Sequence, residues 1–94
     1  MYYTYILHCQ KDGKLYIGFT SDLKTRVFKH KSGYVLATKY RGPVRLIYYE
    51  AYLSEDDARQ REKYLKGGKG HSELKIQLKH ILDKLGYKYA NPRY

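Results

Sequence analysis

The 94-residue sequence has one cysteine, no tryptophan and few acidic residues. The single Cys9 excludes an intramolecular disulfide and a zinc site built from several cysteines. No apolar run approaches the length of a membrane span, and the first residues lack the charged and apolar segments of a secretory signal. These absences predict a cytoplasmic protein without membrane contact. The length predicts one small domain with a modest core.

The shortage of acids leaves a large basic excess. Lysine and arginine number 19 against 9 acidic residues, which gives a formal net charge of +10. In so small a domain this excess favours a polyanionic partner, above all nucleic acid, although charge of this kind can also serve solubility alone. The 13 tyrosines can stack on bases, but most of them fit half-buried strand positions.

The start of the chain predicts a β-hairpin. Asp12-Gly13 lies between two apolar segments, which is a strong turn signal, and the strands cover residues 2–9 and 14–20. This pairing puts Tyr5 beside Tyr16 or diagonal to it.

A helix is predicted over residues 21–31. Ser21 is a good N-cap, and apolar residues then recur at helical spacing. Arg26 and His30 are four residues apart and therefore share one helix face, near the end of the second strand. Gly18 on that strand has no side chain, so a ligand or another chain can approach the backbone there.

The remaining sequence predicts a loop, a strand and two helices. They cover residues 34–43, 44–52, 54–66 and 72–85. The continuous apolar run of the strand fits burial on both faces, in the middle of the sheet. The predicted fold is α+β, in the order β-β-α-β-α-α, with a small three-stranded antiparallel or mixed sheet flanked by three helices. Residues 1–86 form the domain and 87–94 a basic, tyrosine-rich tail.

Two short motifs and three later residues carry a resemblance to a known family. The sequence contains, in order, Thr4-Tyr5-Ile6, Tyr16-Ile17-Gly18, Arg26, His30 and Glu62. This order is similar to that of the GIY-YIG nucleases over about residues 2–80. It resembles most the small single-domain bacterial-type members related to the nuclease domain of the excision-repair endonuclease. Thr4 stands where the name of the first motif has glycine.

The resemblance implies a catalytic role for each of these side chains. Arg26 grips the scissile phosphate, and Glu62 holds one divalent ion, Mg²⁺ or Mn²⁺. Tyr5, Tyr16 and His30 handle the attacking water and its proton. A phenol has an ordinary pKa of about 10 and is a poor base without a nearby cation, so the base stays open among the three. Each residue also has an ordinary alternative: a solvated arginine, strand tyrosines, a core histidine, or a glutamate paired with lysine.

Four residues are predicted to contact nucleic acid: Thr38, Lys39, Arg41 and Lys69. Thr38 alternatively caps a turn, and the glycines around Lys69 either stop a helix or let the next helix hold a phosphate at its start. Glu50 is a second acid expected near the site. Many members of the family have an asparagine soon after the metal-binding glutamate, whereas the asparagine of this chain is Asn91, in the tail.

The sequence thus predicts a divalent-metal-dependent endonuclease that hydrolyses DNA phosphodiester bonds. It would be structure-selective or non-specific, because no base-reading helix is evident, and would serve DNA repair or processing. The alternative is a non-catalytic module of the same fold that binds DNA or RNA. The oligomeric state stays open, with a homodimer or a partner protein as alternatives to a monomer.

Overall fold

The computed structural model describes residues 1–89 as a three-stranded antiparallel sheet with four helices. In chain order the elements are β1 (Tyr2–Cys9), β2 (Lys14–Thr20), α1 (Leu23–Lys31), β3 (Val44–Tyr52), α2 (Glu55–Lys66), α3 (Gly68–Gln77) and α4 (Lys79–Lys84). The predicted α+β class is confirmed, with one helix more than expected. Residues 90–94, which include Asn91 and most of the predicted tail, lie outside the described residues.

The predicted hairpin turn is present between β1 and β2. Gly13 has a φ of 68°, in the left-handed region that favours glycine, and its N–H donates to the Cys9 carbonyl at 2.9 Å. The Asp12 carboxylate accepts from the N–H of Lys14 at 2.9 Å. The register pairs Tyr5 with Gly18, and the residue two places along β1 pairs with Tyr16. Tyr5 and Tyr16 therefore lie diagonally on one face, which is one of the two predicted arrangements.

The third strand lies at an edge of the sheet, so its predicted central position is wrong. The strand order is β2-β1-β3, and β1 is buried from Thr4 to Cys9. In β3 the side chains of Arg45, Tyr49 and Ala51 are exposed. The sequence of β3 looks uniformly apolar because it is rich in tyrosine, whose ring packs while its hydroxyl stays near water.

The first helix begins one residue later than predicted, and the second begins as predicted. Asp22 caps α1, since its carboxylate accepts from the N–H of Thr25 at 3.2 Å, so Ser21 is not the N-cap. Ser54 caps α2 by accepting from the N–H of Asp57 at 3.4 Å, and Gly67 follows its last turn.

The predicted single helix over residues 72–85 is two helices, and the first of them begins earlier. A Cβ atom at Gly70 would lie 2.0 Å from the Tyr64 carbonyl oxygen. The glycine thus lets α3 start tightly against the end of α2, so that Gly68 and Lys69 are helical rather than in a loop. Leu78, with φ −101° and ψ 21°, separates α3 from α4.

The sheet carries a small core on each face. One cluster contains Tyr5, Leu7, Cys9 and Val44, with Tyr16, Leu23 and Leu46 packed against it. The opposite cluster contains Ile6, Ile17, Leu65 and Leu74, and it lies beneath α2 and α3. Within residues 1–89 no helix has the length and apolar character needed to cross a membrane.

Candidate active site

Tyr5 is the centre of a polar cluster on the α1 side of the sheet. Its side chain is fully buried. Its ring lies directly over Gly18, because a Cβ atom there would be 2.4 Å from both Cζ and Oη of Tyr5. The space that Gly18 leaves open is therefore filled by this tyrosine and not available to a ligand.

A chain of hydrogen bonds runs from Tyr5 through His30 to Thr38. Tyr5 Oη lies 2.8 Å from His30 Nε2, and His30 Nδ1 lies 2.8 Å from Thr38 Oγ1. The Thr38 hydroxyl donates to the Val35 carbonyl at 3.5 Å, so it accepts from an Nδ1–H group of His30. Nε2 is then left as the acceptor for the Tyr5 hydroxyl, and this network assigns the tautomer.

Burial keeps His30 neutral. The residue is 2% exposed, and its burial, with a smaller effect from the Arg26 charge, lowers its pKa to about 4. At neutral pH the imidazole therefore carries no charge. It acts as one link in the chain of hydrogen bonds.

Arg26 meets the same phenol from the opposite side. Its Nε donates to Tyr5 Oη at 3.4 Å, and this hydrogen bond is the main cause of the raised pKa of Arg26. Burial raises the pKa of Tyr5 to about 12, despite the opposing hydrogen bond from Arg26. Tyr5 is thus a neutral phenol near pH 7. The bond to it uses only Nε of Arg26, which leaves the Nη groups for a phosphate.

Tyr16 is the more exposed of the two motif tyrosines. Its ring centroid lies 6.3 Å from that of Tyr5 and 4.9 Å from that of His30. It is partly exposed, whereas Tyr5 and His30 are buried. Of the candidates for handling the water, Tyr16 is therefore the one that solvent can reach.

Glu62 lies on α2, which packs on the face of the sheet opposite Tyr5. Helix α2 is held to β1 by the Thr4 hydroxyl, which donates to the Ala58 carbonyl at 2.7 Å. The negative charge of Glu62 makes the smallest of the contributions that raise the pKa of Tyr5. The Glu62 side chain is 21% exposed and accepts from Lys66 Nζ at 2.8 Å.

The donors near Glu62 suit one kind of metal ion. Among residues 1–89 no group of three or more His, Cys, Asp and Glu side chains could enclose a metal. A closed zinc site therefore does not fit. A hydrated Mg²⁺ fits, because that ion is commonly held by one or two carboxylates together with water and phosphate oxygens.

Glu50, expected near the site, belongs to a separate cluster. It pairs with Thr4 in the register of the sheet and so points to the face opposite Tyr5. Arg61 donates to both of its oxygens, at 3.0 and 3.2 Å, and the hydroxyls of Tyr48 and Tyr52 donate to one oxygen each. Burial tends to raise the pKa of Glu50, but these hydrogen bonds lower it below its usual value. With both oxygens engaged, Glu50 is not a metal ligand in this arrangement.

Two of the predicted nucleic-acid contacts are already engaged within the protein. Thr38 is 1% exposed and bound to His30, which does not suit a phosphate contact, so its predicted role is corrected to that of a partner for the imidazole. Arg41 Nε donates to Asp12 Oδ2 at 2.6 Å. Lys39, beside the Tyr40 ring, and Lys69, in the first turn of α3, are exposed.

Sequence reasoning missed that Thr38 pairs with His30. Eight residues and the end of a helix separate the two, and no periodic pattern links a helix to the loop that follows it. The charge and motif order identified Tyr5, Tyr16, Arg26 and His30, and the structure brings these four together.

Comparison with known proteins agrees with this arrangement. The GIY-YIG catalytic domain model matches residues 1–75. A UPF0213 protein of Staphylococcus saprophyticus is 38% identical over 76 residues, covering 80% of this chain and 92% of that protein. A UPF0213 protein of Clostridium perfringens is 43% identical over 67 residues, covering 70% and 71%. The solution NMR structure of the UPF0213 protein BH0048 from Bacillus halodurans is 35% identical, with a TM-score of 0.54 over 98% of this chain and 100% of that one. The chain belongs to the GIY-YIG family.

Proposed function

We propose that this protein is a divalent-metal-dependent endonuclease that hydrolyses DNA phosphodiester bonds, structure-selectively or without sequence preference, in DNA repair or processing. Membership of a nuclease family supports endonuclease-type activity in general. The observation that carries the finer proposal is the grouping of Arg26 and Tyr16 around the neutral Tyr5–His30 pair. The domain over residues 1–86 carries the activity.

Arg26 binds the scissile phosphate. Its Nε is held by Tyr5, so the direction of the guanidinium is set before the substrate arrives. A fixed cation at the phosphate stabilises the charge that develops in the transition state and costs no reorganisation during the reaction. Tyr5 acts through Arg26 and is a positioning residue rather than a catalytic one.

Tyr16 contacts the attacking water. Its partial exposure and its position beside the buried imidazole of His30 support this choice over Tyr5, which is neutral and out of reach of solvent. Nε2 of His30 accepts the hydrogen bond from the Tyr5 hydroxyl. Because the pKa of His30 is lowered to about 4, the imidazole is neutral near pH 7, and the cluster is uncharged apart from Arg26.

Glu62 holds the divalent ion. When bound, the ion supplies positive charge to the phosphate and lowers the pKa of nearby water. Lys66 donates to Glu62 at 2.8 Å, so its ammonium group compensates the charge of the carboxylate.

The test is cleavage of labelled single-stranded, duplex, flap and branched DNA with Mg²⁺ or Mn²⁺. Glu62→Gln and Arg26→Ala should lower the rate by at least about 100-fold, since removing one group that stabilises charge in the transition state typically costs about 10²–10³. Glu55→Gln is the matched control, because Glu55 pairs with Arg59 at 2.8 Å, four residues along the same helix, as Glu62 does with Lys66.

The outcomes separate the candidate functions. Metal-dependent cutting that is lost in Glu62→Gln and kept in Glu55→Gln establishes the proposal. DNA binding without cleavage under every metal condition refutes the endonuclease and supports the non-catalytic nucleic-acid-binding module. Cutting that survives Glu62→Gln refutes the assigned metal ligand.

A further inference from the structure

A basic groove lies at the hairpin-turn end of the sheet, apart from the tyrosine cluster. We name it the turn groove, and its charged lining consists of Lys11, Asp12, Lys14, Arg41, Lys75 and Lys88. Its volume is about 850 Å³, within the range of small-molecule pockets. Five of its lining side chains are cationic, namely Lys11, Lys14, Arg41, Lys75 and Lys88, against one acid. The lining therefore suits a polyanion.

Among residues 1–89, acidic groups balance the positive charge of the groove only in part. Its one acid, Asp12, is paired with Arg41 at 2.6 Å. None of the ion pairs found among residues 1–89 includes Lys11, Lys14 or Lys75. By contrast, Lys66 on α2 pairs with an acid four residues away. Like charges held together without acids repel one another, and an anionic ligand relieves that repulsion.

The groove reaches the face of the candidate active site at Lys14 of β2, whereas Lys75 of α3 lines it from the opposite face. Every second residue of β2 lies on the same face of the strand, and these residues include Lys14, Tyr16 and Gly18. The Tyr5 ring lies over Gly18. The distance from Lys14 to Gly18 is four strand residues, about 13 Å at 3.3 Å per residue. Phosphates follow each other at about 3.4 Å of rise per strand in duplex DNA, so this distance corresponds to about four nucleotides.

The loop before β3 makes the same connection. Thr38 contacts His30 at the active site, and three residues later Arg41 contacts Asp12 in the groove. The Arg41 carbonyl also accepts from the N–H of Lys11 at 3.3 Å, which fixes the loop to the hairpin turn. One short segment thus holds the active site and the groove in a fixed relation.

We propose that the turn groove binds the DNA backbone on one side of the cleaved bond, about four nucleotides away. The inference rests on the proposed nuclease function and extends it, because it gives the substrate a second, fixed contact and therefore a direction. The groove contacts are phosphate contacts, which position DNA without reading its sequence.

The experiment measures DNA affinity against salt concentration for the full chain carrying Glu62→Gln, so that cleavage does not interfere. Adding Lys11→Gln and Lys75→Gln should reduce the slope of log K against log[salt] by about 2, at about 0.9 per phosphate contact. The matched control is Lys24→Gln with Lys31→Gln, an equal charge change on α1, outside the groove. Thermal melting checks that both pairs of substitutions leave the fold intact.

A second measurement tests on which side of the cleaved bond the groove contacts the DNA. Uncharged methylphosphonate linkages are placed about four nucleotides from the cleaved bond, on either the 5′ or the 3′ side. The proposal expects weaker binding for one side only, and no difference between sides in the groove variant.

The experiments distinguish a failure of the groove proposal from a failure of the nuclease proposal. Unchanged salt slopes in the groove variant, or equal losses in both variants, overturn the groove even when the protein cuts DNA normally. A groove-dependent slope in a protein that never cuts DNA supports the groove as a binding site and refutes the nuclease.

Discussion

Gly18→Ala tests whether the position of Tyr5 governs the active site. The added methyl carbon would lie 2.4 Å from both Cζ and Oη of Tyr5, whereas ordinary carbon contacts begin at about 3.5 Å. The ring must therefore move by about 1 Å. It is fully buried and bound to His30, so it has no free space in which to turn.

Two magnitudes follow from this clash. Overpacking a buried site costs about 1–3 kcal/mol, which the free energy of unfolding of an ordinary domain can absorb. In a domain of this size each kcal/mol lowers the melting temperature by about 4–8 °C. Moving Tyr5 also displaces Arg26 through their hydrogen bond, and a misplacement of about 1 Å can cost about 100-fold in rate.

The assay combines thermal melting with DNA cleavage. Gly68→Ala is the control, since a Cβ atom there meets nothing within 4 Å and the backbone needs no glycine. In a Tyr5→Leu background the shorter side chain relieves the clash. The loss in the free energy of unfolding caused by Gly18→Ala should then be smaller than in the wild-type background by about 0.5–3 kcal/mol. An equal cost in both backgrounds, or a fully stable and active Gly18→Ala protein, would refute the reasoning.

Three further predictions concern groups around the two polar clusters. Thr38→Val should leave the buried Nδ1–H of His30 without a partner, cost about 1–3 kcal/mol in the free energy of unfolding and slow cleavage, with Thr38→Ser restoring both. The folded-state pKa of His30 is about 4, below its ordinary 6.5, so the unfolded chain takes up the proton first as the pH falls. The free energy of unfolding should then drop by about 3 kcal/mol between pH 6.5 and 4. Urea unfolding at a series of pH values measures this loss, which should be smaller in His30→Gln. Glu50→Ala should cost about 1–3 kcal/mol in the free energy of unfolding, because it leaves the partly buried Arg61 without its partner, yet any metal dependence of cleavage should be unchanged.

Features that depend on neighbouring residues were predictable from the sequence. The Asp12-Gly13 turn and the Ser54 cap each depend on a few adjacent residues, and both are present. The edge position of β3 was not predictable, because its run of tyrosines looks as apolar as a central strand while the rings remain half-exposed. The early start of α3 depends on the contact of Gly70 with Tyr64, which a local pattern does not contain.

The candidate site, like the fold, was predictable from the sequence only in part. The resemblance supplied Tyr5, Tyr16 and Arg26 with expected roles, and the structure brings them together; the roles themselves stay predictions. The partner of His30 and the burial of Tyr5 come from tertiary packing. Glu50 was expected near the site because it ends an apolar stretch, but the alternation of the strand turns it to the other face.

Two consecutive residues of β1 hold the two helices that carry the charged groups of the site. The Tyr5 hydroxyl is bound to His30 of α1, and the Thr4 hydroxyl is bound to the carbonyl of Ala58 in α2. A shift of β1 at this point therefore disturbs its contacts to both helices at once. For protein engineering, substitutions at residues 4 and 5 are therefore expected to loosen α1 and α2 together, so the two positions are best left unchanged when other parts of the chain are redesigned.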